Sequence, residues 1–203
     1  MTRPLLVTDC DEVLLHFVRH FGEWLDEAHA IDFALDRHDF GGALTRKADG
    51  TILAREDVWP LLDGFFVGEM HRQTIVPGAA EALARIGEVA DIVVLTNLQD
   101  HHNAARVAQL DALGIRHRVV TNQGGKGRPL SALVDEFGPS ATVFVDDLPH
   151  HHESVAEHRP EVWRLHMVAE PTLAPRIVPA PHAHARIDRW DEAVEWILEK
   201  LQS

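Results

Sequence analysis

The chain has 203 residues, 45% of them hydrophobic, with 19 Lys plus Arg against 32 Asp plus Glu and a formal net charge of −13. This composition supports one buried core of ordinary domain size and excludes a disordered chain. It also argues against nucleic-acid backbones and anionic membrane surfaces, which both require clustered positive charge. A single Cys excludes an internal disulfide and a multi-Cys zinc site.

In chain order, Pro4 to Thr8 is a short apolar run that reads as a buried strand. With Met1 to Arg3 it is far too short for a signal-peptide core, and no later run reaches the roughly 18 apolar residues of a membrane span. The expected compartment is therefore the cytoplasm. Leu15 to Ala30 reads as a helix with Phe17, Phe21, Leu25 and Ala28 on one side, and Arg55 to Phe66 as another. Phe40-Gly-Gly and Ala48-Asp-Gly are turn signals between them. From Ile75 onward strands and helices alternate. The strands are Asp91–Thr96, Arg118–Thr121, Ala141–Asp146 and Glu161–His166. The helices are Ala79–Ile86, Asn103–Leu113 with Val107, Leu110 and Leu113 facing inward, Pro129–Phe137, and Asp191–Leu201. Glu170 to His184 reads as a loop or extended connection.

This order predicts an α/β fold, a doubly wound Rossmann-like parallel sheet with an inserted helical cap. The core spans 1–16 and 72–203. The insertion, 17–71, is too long for a simple crossover of about 30 residues.

In an open α/β sheet, ligands bind at the carboxyl ends of the strands. Four strand ends here present Asp9-Cys-Asp11, Thr96-Asn97, Lys126 in a Gly-rich loop, and Asp146-Asp147. Together they suit phosphoryl transfer. Asp9 is the candidate nucleophile and Asp11 the candidate general acid/base. Thr96, Asn97 and Lys126 supply donors and one positive charge for phosphoryl oxygens. A phosphate beside carboxylates calls for a hard cation such as Mg²⁺, held by Asp9, Asp146, Asp147 and the backbone carbonyl of Asp11.

These four pieces, in this order, resemble the haloacid dehalogenase superfamily over the first strand and roughly 75–166. The resemblance implies Asp9 as nucleophile, Asp11 as acid/base, Thr96 and Lys126 on the phosphate, and Asp146 as a magnesium ligand, with Asp147 as a second ligand or an orienting group. Asp11 favours a phosphatase over a dehalogenase, because the dehalogenase members lack an acid/base there. The insertion looks like the family's small helical cap, and Asp-Cys-Asp-Glu-Val looks somewhat like the deoxyribonucleotidase-like members. Glu12 departs from the family's usual Gly.

Each piece also has an ordinary structural use. Asp-x-Asp caps turns and helices, Lys126 alone is a solvated loop lysine, and Asp147 can cap the next helix. Cys10 between the aspartates reads as a core residue. Gly124, Gly125 and Gly127 fit no nucleotide-binding loop. His101-His102 and His150-His151-His152 lie near the expected rim, where substrate contact or a second metal site are the functional readings. Consecutive side chains on a helix fan by about 100°, so the three of 150–152 cannot converge. Trp24, Phe33, Phe40, Trp59 and Phe65 are candidates for substrate contact, though most are expected to form the cap's own core. The expected activity is magnesium-dependent hydrolysis of a small phosphorylated metabolite or nucleotide through an aspartyl-phosphate on Asp9. Alternatives on the same fold are phosphotransfer between hydroxyls and a non-catalytic phosphate-ligand module.

Overall fold

The computed structural model describes residues 2–34 and 40–202, and for Phe40 and Gly41 the backbone alone. Strand β1 (Leu5–Thr8) is followed by helix α1 (Val18–His29), the hairpin strands β2 (Ile31–Phe33) and β3 (Leu44–Arg46), with the short helix α2 (Phe40–Ala43) between them, and helix α3 (Arg55–Gly68). Then α4 (Ala79–Gly87), β4 (Asp91–Asn97), α5 (Asn103–Ala112), β5 (Arg118–Asn122), α6 (Gly127–Phe137), β6 (Thr142–Asp146), α7 (Pro149–His158), β7 (Trp163–His166), β8 (Ala185–Arg186) and α8 (Trp190–Leu201) complete the chain.

Six strands form one sheet in the order β5-β4-β1-β6-β7-β8, and every pair is parallel. β1 lies in the interior, paired with β4 on one side and β6 on the other. The chain order therefore reverses beside β1, which creates the crevice where doubly wound sheets bind ligands. Alternate residues of each strand feed two cores. Leu6, Val94, Val143 and Leu165 pack with α4 and α8. Leu5, Val7, Val93, Leu95 and Phe144 pack with α6 and α7. Burial on both faces explains why these strands read as continuous apolar runs.

Between β1 and β4 a third core gathers Phe17, Phe21, Leu25, Leu44, Val58 and Phe65. Its rings meet edge-on or stacked, with Phe17 and Phe21 centroids 5.2 Å apart and Phe21 and Phe65 5.6 Å apart.

The structure differs from expectation in four places. The insertion is not purely helical, because β2 and β3 pair as an antiparallel hairpin; three-residue strands are too short to show an alternating pattern. Helix α1 starts at Val18, not Leu15, since Leu15 is pinned in bridges to Asp11 and Ile75. Ala28 is exposed. On α5 the inward face runs through Arg106 and Leu110, while Val107 is 41% exposed. The apolar pattern misplaced that face by one residue because an arginine turns inward. The stretch from Glu170 to His184 is a connection without strand or α-helix, as expected, and it is tied down: Ala180 N–H donates to His166 Nδ1 at 2.8 Å, and Arg186 donates to the carbonyls of Ala174 and Ile177.

Candidate active site

β1 ends against β6. The Asp9 N–H donates to the Val145 carbonyl at 2.8 Å, which carries Asp9 to the sheet's edge. The chain then turns sharply, with Cys10 buried in the core and Glu12 at φ +60°. That left-handed backbone is where Gly is the default residue. Glu12 occupies it with a specific return: its Oε1 accepts the N–H groups of Phe17 (2.8 Å) and Val18 (2.6 Å). The carboxylate thus satisfies orphan donors at the start of α1. Burial pushes the Glu12 carboxyl up to about 7.

The centre of the site is Lys126. Its residue immediately precedes α6, and its side chain is fully buried. The ammonium lies 2.7 Å from Asp9 Oδ1 and 2.7 Å from Asp146 Oδ2. Only the Asp146 contact is an aligned hydrogen bond. Burial alone would lower the lysine's pKa, but the Asp146 and Asp9 carboxylates outweigh it and hold the ammonium charged. Burial likewise works against the Asp146 carboxylate, yet Lys126 beside it keeps it below the ordinary range. Asp9 goes the other way. Burial raises it to about 7 against the pull of Lys126, with Asp146 adding to the rise. Asp147 is raised well above the ordinary value by burial and by Asp146 and Asp9. So one lysine and one carboxylate carry the charge, and two further carboxyls tend to hold protons.

Lys126 reaches this position because α6 begins unusually close to α7. A Cβ on Gly127 would sit 2.1 Å from the Ser154 carbonyl oxygen, so no side chain fits there. Ser154 Oγ accepts the Gly127 N–H at 3.0 Å. Gly125 and Gly127 serve close packing against Ser154, and Gly124 serves a turn at φ +94°.

Asp146 Oδ1 accepts the Leu148 N–H at 2.9 Å across the turn before α7, and among the described residues no side chain caps that helix. The Asp146-Asp147 backbone is gripped by two buried histidines. His152 Nε2 lies 3.0 Å from the Asp146 carbonyl and His166 Nε2 2.8 Å from that of Asp147. Carbonyls only accept, so both rings carry Nε2–H. Burial lowers both histidines, His166 to about 4 with help from Arg186. They are neutral clamps, not pH-sensing cations. Of the 150–152 run, His150 is exposed while His151 and His152 are buried.

Thr96 is fully buried at the end of β4, and its Oγ1 has no hydrogen-bond partner among the described residues. The Asn97 side chain is hydrogen-bonded within the chain. Its amide donates to the Gly124 carbonyl at 2.9 Å and lies 3.2 Å from His151 Nε2, while its Oδ1 accepts from Asn122. The side chain braces the loop that carries Lys126. His151, pushed down to about 3 by burial, is part of the same brace.

Asp11 stands apart from this cluster. Both its oxygens accept from Arg106 Nη2 at 3.0 Å, and Gln73 Nε2 donates to Oδ1 at 2.6 Å. Arg106 is completely buried and also contacts Cys10 Sγ, Gln73 and Gln109. Burial and neighbouring carboxylates raise the Cys10 thiol above its ordinary range despite Arg106, so it is an inert core thiol. Arg106, Gln73 and His166 carry no sequence signal of their own, while His152 belongs to the 150–152 run read for substrate or metal contact and serves instead as a backbone clamp.

Oxygens of Asp9, Asp146 and Asp147 lie within 4.8 Å of one another. Three carboxylates form an all-oxygen donor set, and Asp9 Oδ1 has no aligned donor among the described residues, so the site fits a hard dication such as Mg²⁺. The Asp11 carboxylate is not part of that cluster.

Beside the site, at the ends of β4 and β5, lies an open cavity of about 310 Å³. Trp59, Leu62 and Phe66 of α3 form one wall, and Asn97, Gln99 and Gly124 the other. Trp59 is 63% exposed, whereas Phe65 is wholly buried in the insertion's core. Trp24 and Phe33 pack against that same core. The side chain of Phe40 lies outside the described residues.

No protein-family model and no curated protein matches the chain. Solved structures do. A haloacid dehalogenase-like family protein from Streptococcus pneumoniae matches over 97% of this chain and 98% of its own, at 10% identity and TM-score 0.66. A haloacid dehalogenase-like family hydrolase from Xanthomonas campestris matches over 99% and 98%, at 15% identity and TM-score 0.59. The Bacillus subtilis protein YfnB, solved bound to magnesium, matches over 97% and 99%, at 12% identity and TM-score 0.64. At such identities the shared property is the fold.

Proposed function

We propose that this chain, which has the haloacid dehalogenase-like fold, is a magnesium-dependent phosphomonoester hydrolase that works through an aspartyl-phosphate on Asp9. The observation that carries this is the buried Lys126, which spans Asp9 and Asp146 with Asp147 alongside, at the end of the central strand β1. A lysine enclosed by three carboxylates has little use as a structural pair. It is suited to hold the phosphoryl oxygens of a substrate attacked by Asp9. The unpartnered hydroxyl of Thr96 offers a further donor to those oxygens.

Asp9, Asp146 and Asp147 would hold the magnesium ion, with the Asp11 carbonyl as the remaining protein donor. When bound, the ion supplies positive charge that keeps Asp9 ionised and offsets the charge of the phosphate. Asp9 then attacks phosphorus as the bond to the leaving oxygen breaks, and that oxygen takes a proton from the Asp11 carboxyl; Asp11 afterwards takes a proton from the water that hydrolyses the aspartyl-phosphate, which frees inorganic phosphate and restores both groups. In the described conformation both Asp11 oxygens are engaged by Arg106 and Gln73. Proton transfer therefore requires the Asp11 carboxyl to turn from these partners toward the substrate. Gln73 lies in the connection that returns from the insertion to α4, so a shift of that connection alters Asp11's partners. Residues 17–71 act as the cap over a core of 1–16 and 72–203, and the substrate is a small phosphorylated metabolite or nucleotide seated in the cavity beside Asn97. The chain works in the cytoplasm.

The test is a screen of phosphorylated metabolites with Mg²⁺, reading released inorganic phosphate. Asp9→Asn should abolish release from every active compound. Full turnover by Asp9→Asn refutes the mechanism, and a phosphate-bearing product without free phosphate replaces hydrolysis by phosphotransfer.

A further inference from the structure

We propose a second metal site, built from Asp63, His101 and His102, that takes a zinc-class dication and ties α3 to the end of β4. Asp63 sits on α3 in the insertion, and the two histidines sit in the short 3-10 turn Asp100–His102 just before α5. One ligand atom from each lies within 4.8 Å of the others. His102 Nε2 is 2.8 Å and His101 Nε2 3.3 Å from Asp63 Oδ1. A tetrahedral centre with bonds of about 2.0–2.1 Å separates its ligands by roughly 3.3 Å. The two distances to Asp63 lie within about half an ångström of that value and the histidine pair within 4.8 Å, so ring rotation brings the three groups around an ion.

The chemistry of the donors separates this site from the carboxylate centre. Two imidazole nitrogens and one carboxylate suit zinc, cobalt or nickel and are poor ligands for magnesium. Three oxygens at Asp9, Asp146 and Asp147 have the opposite preference. His102 is 4% exposed, with its ring tilted against those of Phe66 and His101 at centroid distances of 6.0 and 3.8 Å, so one ligand is fixed in place. Asp63 and His101 are 44% and 56% exposed on their side chains, which leaves a path for the ion and an outer position for water. Asp63 and His102 also line the cavity between α3 and the core. An ion there joins both of its walls.

The site is independent of the phosphatase proposal, and its test does not read turnover. Untagged protein is stripped with chelator and placed in excess Mg²⁺ to satisfy the carboxylate centre. Zn²⁺ is then added, and retained zinc is measured after equilibrium dialysis. Wild-type protein should retain one equivalent more than the double variant Asp63→Asn, His101→Gln, and its melting temperature should rise with zinc while that of the variant does not. Both substituted side chains are substantially exposed, so the metal-free variant should melt within a few degrees of wild type. Zinc retained equally by both proteins comes from other histidines, and equal retention overturns the proposal. Asp9→Asn should keep the zinc equivalent, which distinguishes failure at this site from failure at the catalytic one.

Discussion

Replacing Asp9 by Asn should abolish the proposed phosphate release and stabilise the metal-free chain. In the folded chain burial raises the Asp9 carboxyl from 3.8 to about 7. In the unfolded chain it titrates near its ordinary value. Below both values the group is protonated in both states. As pH rises through 4, only the unfolded chain gains from ionising Asp9, and the folded state loses ground until pH passes about 7. A difference of about three pH decades corresponds to on the order of 4 kcal/mol. Asn carries no proton to lose, so the wild type should fall relative to Asp9→Asn by that order between pH 4 and 7, and then stay level. The assay is urea unfolding of both proteins in chelator across pH 4–8.5. Taking the difference cancels the histidines and the carboxylates that do not interact with Asp9; Asp147, which Asp9 helps to raise, changes along with it and belongs to the measured difference. Adding Mg²⁺ at pH 7.5 should reverse the ranking, because an ion that binds the ionised Asp9 stabilises only the wild type. Parallel stability curves across this range, or a wild type that gains on the variant as pH rises, would refute the assigned electrostatics.

Other consequences follow from single residues. Acidification from pH 6.5 to 5 should cost about 2 kcal/mol at His151, whose folded value of about 3 lies well below the ordinary 6.5, since the unfolded chain takes up the proton that the fold excludes; urea midpoints for wild type and His151→Phe should diverge over that range. Arg106→Leu leaves the Asp11 carboxylate without its buried partner and should cost roughly 3–5 kcal/mol, as a buried pair does when one member is removed; Arg106→Lys should fold better yet show lower kcat in the phosphate-release assay. Glu12→Ala keeps the positive φ but removes the acceptor for Phe17 and Val18, and should cost about 1–2 kcal/mol by chemical unfolding. Gly127→Ala must displace the Ser154 carbonyl, so calorimetry should show a loss of about 3 kcal/mol or more.

The sheet was legible because its strands are buried on both faces. Runs such as Ile92–Leu95 and Val143–Val145 need no partner to be recognised as parallel interior strands. The hairpin of the insertion was not, because a three-residue strand carries too little pattern. The face of α5 was misjudged at Val107 for a related reason: apolar periodicity assumes that arginines point outward, and Arg106 is buried to meet a carboxylate 95 positions away.

The sequence by itself determined which chemistry the strand ends could carry, since carboxylates, a threonine and a lysine recur there in a fixed order and local hydrophobicity sets where each strand stops. Only the tertiary structure decided how those groups divide the work. It placed Lys126 between Asp9 and Asp146, turned Asp11 onto Arg106, assigned Asn97 to the loop, and made His152 and His166 into neutral clamps. The physical reason is that charge state and hydrogen-bond direction depend on burial and on neighbours distant in sequence, and neither is encoded in the spacing of a motif.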